Sequence, residues 1–81
     1  MEVTEMAKKI AELGRQKAEA EKKLNRATWD FKTNNKYLDA AIKDGRETWI
    51  QRRNVEIAAK DMERAAKEIE QIDNELRRLK V

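Results

Sequence analysis

Every seventh residue along the first half of the chain is a cation or a tryptophan: Lys8, Arg15, Lys22, Trp29, Lys36 and Lys43. Such a row can do one kind of chemistry, which is recognition. Ammonium and guanidinium groups attract carboxylates or phosphates, and an exposed indole offers area to a protein surface or a base. As far as residue 22 the charge is answered locally, because Glu5, Glu12 and Glu19 stand three residues before Lys8, Arg15 and Lys22. Those are ion pairs on a solvated helix face. Beyond residue 25 the compensation thins, since Arg26, Lys32, Lys36, Lys43, Arg46, Arg52 and Arg53 face only Asp30, Asp39, Asp44 and Glu47. The partner-facing set expected from this imbalance is Trp29, Lys32, Lys36 and Lys43, continued by Arg46, Trp49, Arg52 and Arg53.

Bond-making chemistry is not expected. The chain has no His and no Cys, which removes the usual general base near neutral pH, thiol nucleophiles, disulfides and the commonest zinc ligands. A ferritin-like metal site needs Glu-x-x-His, so no metal and no cofactor are expected. Glu56 with Lys60 and Glu63 with Lys67 are surface ion pairs at i, i+4. Lys17 reads as a register or oligomer-state device, its stem snorkelling past Ile72 to water or to Glu21.

The elements that position these residues are helical. Eighty-one residues at 43% charged and 40% hydrophobic make one domain, and the mean hydropathy is −1.02. With no apolar run of membrane length, and an opening Met-Glu-Val-Thr-Glu unlike a signal peptide, the expected setting is cytoplasmic, without a membrane partner. No Pro and two Gly in a chain rich in Ala, Lys, Glu, Arg and Ile is the composition of long helices. Setting Val3 at a and Met6 at d carries a heptad frame through Ile10, Leu13, Ala20, Leu24, Ala27, Phe31, Leu38 and Ala41, with Lys17 and Asn34 as polar core slots. A second frame runs through Val55, Ala58, Met62, Ala65, Ile69, Ile72, Leu76 and Leu79.

Three residues separate the two frames, which a loop absorbs. Lys43-Asp44-Gly45-Arg46-Glu47 supplies one: a Gly free to take positive φ, then Asp44 as an N-cap with Glu47 three residues on. The expected fold is an all-α, coiled-coil-like antiparallel hairpin, one domain over 1–81, with helix 1 at about 3–43, a turn at about 44–46 and helix 2 at about 47–80. Pairing a with d about this turn sets Phe31 opposite Ala58, Ala27 opposite Met62, Leu24 opposite Ala65, Ala20 opposite Ile69 and Lys17 opposite Ile72, large against small in most layers. Thr33-Asn34-Asn35 offers a competing break into three helices, but the frame continues across it.

A lone pair of helices buries one stripe on each, so a second copy is expected to complete a four-helix bundle. Its interface is assigned to Ala7, Gly14, Ala59 and Ala66 beside the seam, with Ile42, Ile50 and Ile57 nearer the turn. Phe31 belongs to the core, Tyr37 and Trp49 are expected to pack around the turn, and Trp29 either fills a wider bundle or anchors a partner. In shape and size the hairpin resembles small helical-hairpin RNA-binding dimers of the plasmid copy-control kind. Two functions follow as expectations. One is a non-enzymatic protein-protein interaction module (adaptor, inhibitor or scaffold) that self-associates and shows its basic, aromatic end to an acidic protein partner. The other is a nucleic-acid-binding dimer using the same surface.

Overall fold

The computed structural model describes residues 3–80, Lys80 by its backbone alone. It contains two helices, α1 (Val3–Lys43) and α2 (Trp49–Lys80), packed against one another as a rod of 63 × 14 × 14 Å. Its radius of gyration is 18.3 Å, where a compact chain of this length would have about 12 Å. No described helix is long and apolar enough to cross a membrane.

The helices run antiparallel in the expected register. Lys17 Nζ reaches Asp73 Oδ1 at 2.7 Å, the neighbour of the Ile72 expected to face it, and Lys9 Nζ reaches Glu75 Oε1 at 3.4 Å. Helix α1 is unbroken across Thr33-Asn34-Asn35. There the half-buried Asn34 amide donates to the Asp30 backbone carbonyl one turn back at 2.8 Å, which satisfies its polar group within the helix.

The turn differs from expectation at its far side. Gly45 has φ +69°, its N–H donates to Ile42 O at 3.2 Å, and the Arg46 N–H donates to Ala41 O at 2.9 Å. These two bonds are the Schellman termination of α1. Residues 44–46 are thus spent closing the first helix, and Asp44 does not cap the second. Its carboxylate takes the Arg46 guanidinium at 3.2 Å instead. Helix α2 begins at Trp49, not 47, with Thr48 in the capping position and its carbonyl accepting the Arg52 N–H at 2.8 Å. The Thr48 hydroxyl accepts from Arg52 Nε at 2.9 Å, and Gln51 Oε1 is buried without a hydrogen-bond partner.

The core is asymmetric. The buried residues are Leu13, Ala20, Ala27, Ala41, Ala58, Ala65 and Ile72. All seven are d positions. The a positions, among them Ile10, Leu24, Phe31, Leu38, Val55, Met62, Ile69 and Leu76, are each only partly buried. Size alone does not explain the difference, because Leu13 and Ile72 are 5% and 6% exposed while Leu24 and Ile69 remain open at one edge. Val3, at the open end of the hairpin, is 84% exposed.

Two glycines test the local account with opposite signs. A Cβ at Gly14 meets nothing within 4 Å, so Gly14→Ala should stabilise α1 by about 0.5–1 kcal/mol through helix propensity. Gly45→Ala forces an L side chain into the left-handed region and should cost about 1–2 kcal/mol. Urea unfolding of both variants measures this, and matching signs would contradict it. In the same assay Ile72→Ala should cost about 2–4 kcal/mol and the half-open Ile69→Ala about half as much.

Candidate interaction surface

Each helix offers two flanks beside the seam. In an antiparallel pair the e positions of both helices border the a rows on one face, and the g and c positions line the other. The a/e face carries the partly exposed a side chains, with Ala7, Gly14, Ala59 and Ala66 exposed alongside them at e. Large apolar groups here stand between small ones that do not screen them. The total accessible surface is 6601 Å², roughly 1,500 Å² more than the ~5,000 Å² of a compact monomer of this mass.

The residues assigned to self-association do not all share this face. Ala7, Gly14, Ile42, Ala59 and Ala66 do, as e positions. Ile50 and Ile57 are at c, and Ile57 lies beside Asp30, Asn54 and Asp61 across the opposite face. The periodicity that sets Ile57 off the seam also turns it away from Ala59, two residues on.

All eight residues of the expected partner-facing set are exposed. They form a belt around the turn-proximal half: Trp29, Lys36 and Lys43 on the back of α1, Arg53 on the back of α2, and Lys32, Trp49 and Arg52 toward the a/e face. Trp29 is 66% exposed, so it fills no part of the hairpin core. Tyr37 and Trp49 were expected to pack around the turn, and at 61% and 62% exposure they do not. The reason is the later start of α2. Thr48 and Gln51 occupy the seam beside the turn, which sets Trp49 outward at b and leaves Tyr37 at g with nothing above it.

Among the described residues the ion pairs that join the two helices are one-sided. Both interhelical pairs, Lys9 with Glu75 and Lys17 with Asp73, lie in the half remote from the turn. Near the turn Arg46 holds Asp44, and among the described residues Lys32, Lys36, Lys43 and Arg53 make no ion pair. Every exposed large hydrophobic residue other than Val3, namely Trp29, Tyr37, Ile42, Trp49, Ile50 and Ile57, also falls in the turn-proximal half.

Among the described residues no group of three or more carboxylates is placed to hold a metal ion. A groove of about 340 Å³ passes over Ala27 and Ala65, where small core residues leave a dip walled by Lys23, Arg26, Asp30, Asp61, Arg64 and Glu68. Its alternating charges read as a rim above an alanine layer. Leu24, Phe31 and their a-row neighbours were expected in a closed core and are instead only partly buried. The concentration of alanine at d was the signal available.

Lys17 turns to a partner other than the Glu21 expected. The Asp73 carboxylate accepts its hydrogen bond and, with the attraction between the two charges, holds the Lys17 ammonium above its ordinary 10.5, Glu21 adding a smaller attraction. Both side chains are about one third exposed, at 35% and 32%. The folded pKa exceeds the unfolded one, so this stabilisation is complete below pH 10.5 and is lost as pH rises through the raised value. Asp73→Asn should therefore lower Tm at neutral pH, and the gap to the unaltered protein should close in strongly alkaline buffer. Thermal melts across that range decide it, and a gap that stays constant would mean the pair does not form.

No family model, curated protein or solved structure matches the chain.

Proposed function

We propose that this protein is a non-enzymatic interaction module: a helical hairpin that pairs with a second copy and presents its turn-proximal end to an acidic protein partner as an adaptor, inhibitor or scaffold. The observation that carries the reading is the one-sided exposure of the large a residues together with the gathering of the exposed aromatic side chains at one end, beside the cations Lys32, Lys36, Lys43 and Arg53. The first supports self-association, because the surplus surface is of the order that a standard interface removes, about 800 Å² from each partner. The second supports a separate recognition surface, because exposed Trp and Arg are favoured anchors and Trp29, Trp49 and Arg53 are exposed.

Nucleic-acid binding is the competing reading, favoured by the Trp29, Lys36 and Lys43 row on the back of α1, which offers an indole between cations. The two separate by experiment. Labelled single-stranded and duplex oligonucleotides are titrated at low and moderate salt; phosphate-dominated binding must weaken steeply with salt. Absence of binding at low salt supports the protein-partner reading, and tight salt-sensitive binding replaces it.

Self-association is tested with Ala59→Lys and Ala66→Lys together. Both positions are exposed in the single hairpin, so stability of the monomer should change by no more than about 0.5 kcal/mol per site, while a pairing face carrying two new charges should not close. Sedimentation should report a dimer for the unaltered protein and a helical monomer for the variant. An unaltered protein that stays monomeric at tens of micromolar, an order-of-magnitude assay choice, overturns self-association.

A further inference from the structure

The g/c face changes character along its length. Away from the turn its g positions are Lys9, Gln16, Lys23, Asp30, Asp61, Glu68 and Glu75, polar throughout and joined at the open end by the Lys9 and Glu75 ion pair. Toward the turn Thr33, Tyr37, Ala40, Ile50, Asn54 and Ile57 form an uncharged strip, bounded by Asp30 and Asp61 beside Ile57 and, at the turn, by Asp44, which Arg46 neutralises. Tyr37, Ile50 and Ile57 are 61%, 51% and 49% exposed. On both outer sides this uncharged strip is bordered by cations at f: Lys36 and Lys43 on α1, Arg53 and Lys60 on α2. Lys60 is held by Glu56 at 3.2 Å, and the other three make no ion pair among the described residues.

An apolar strip with a basic border on each side is complementary to one kind of occupant. We propose, resting on the interaction-module reading above, that this strip is the docking site for an amphipathic helix of a partner protein whose apolar face is flanked by Asp and Glu. Ile50 and Ile57 are seven residues apart, about 10.5 Å along α2, the repeat at which a docked helix presents successive anchors. Its flanking carboxylates meet Lys36 and Lys43 on one side and Arg53 on the other.

Charge decides between occupants. A second copy on this strip would bring two sets of unpaired Lys36, Lys43 and Arg53 together, and like charges across an interface disfavour it. Single-stranded nucleic acid would gain phosphate contacts but would find one ring, Tyr37, and branched aliphatic groups at Ile50 and Ile57 where successive bases would need further stacking platforms. The a/e face stays free for self-association because it lies on the other side of the seam.

The test uses the full chain and two labelled amphipathic peptides about 18 residues long, with leucines on one face and either glutamates or lysines flanking it. Fluorescence anisotropy should show the glutamate peptide binding about tenfold or more tighter than the lysine peptide. Ile50→Ser with Ile57→Ser should weaken that binding about tenfold with unchanged helicity by circular dichroism, as both residues are half exposed. Changing Lys36, Lys43 and Arg53 to Glu should reverse the preference between peptides. Equal affinity for both peptides, binding of neither, or indifference to the two serine substitutions overturns the proposal. Loss of the dimer by sedimentation in the serine variant would assign the strip to a second copy and overturn it equally. Amide shifts in NMR separate its failure from that of the underlying reading. Peptide-induced shifts at Trp29, Trp49 and Arg52 instead of Tyr37, Ile50 and Ile57 refute the strip but leave an interaction module. No peptide binding combined with salt-sensitive oligonucleotide binding refutes both.

Discussion

Five alanines set how the two helices meet. Ala20, Ala27, Ala41, Ala58 and Ala65 are buried d residues, and side-chain size at the contact controls how closely helix axes approach. Where the contact is made by methyl groups, large neighbours at a do not fit between the helices. They are displaced toward the edge, and close packing there is incomplete because atoms are present on one side only. Over these layers the chain spends small residues on joining its own helices, and Leu24, Phe31, Met62 and Ile69 stay partly covered at the edge of the seam.

Charge is arranged around the same seam with a different polarity. Remote from the turn, Lys17 with Asp73 and Lys9 with Glu75 tie the helices in one register. The first is the more constraining, because Lys17 occupies a core slot and a slip by one heptad would leave its ammonium over an apolar layer. Toward the turn no ion pair joins the helices among the described residues, and the register is held instead by the short connection that Gly45 closes. The exposed aromatic rings and the cations Lys32, Lys36, Lys43 and Arg53 at that end support the proposal that it is the recognition end.

Much of this was legible in the residues. The heptad frame located every buried side chain among the described residues, Gly45 located the turn, and setting a against d about that turn gave the register that the Lys17 and Asp73 contact marks. Periodicity reports which stripe of a helix is apolar, and in a two-helix chain there is one other helix for that stripe to meet. The outward placement of Trp29 followed from the same frame.

The sequence by itself therefore determined the two helices, their antiparallel order and the residues between them, because heptad spacing and a single left-handed glycine are properties of the chain. Only the tertiary structure decided where α2 starts, since the Schellman bonds from Gly45 and Arg46 consume residues that a local pattern equally well assigned to an N-cap. Only it separated Ile50 and Ile57 from Ala59 and Ala66, and left Tyr37 and Trp49 uncovered. Heptad letters give a direction around one helix, whereas exposure depends on what the second helix places above that direction. Here alanine at d brings the helices into contact without roofing the residues on either side.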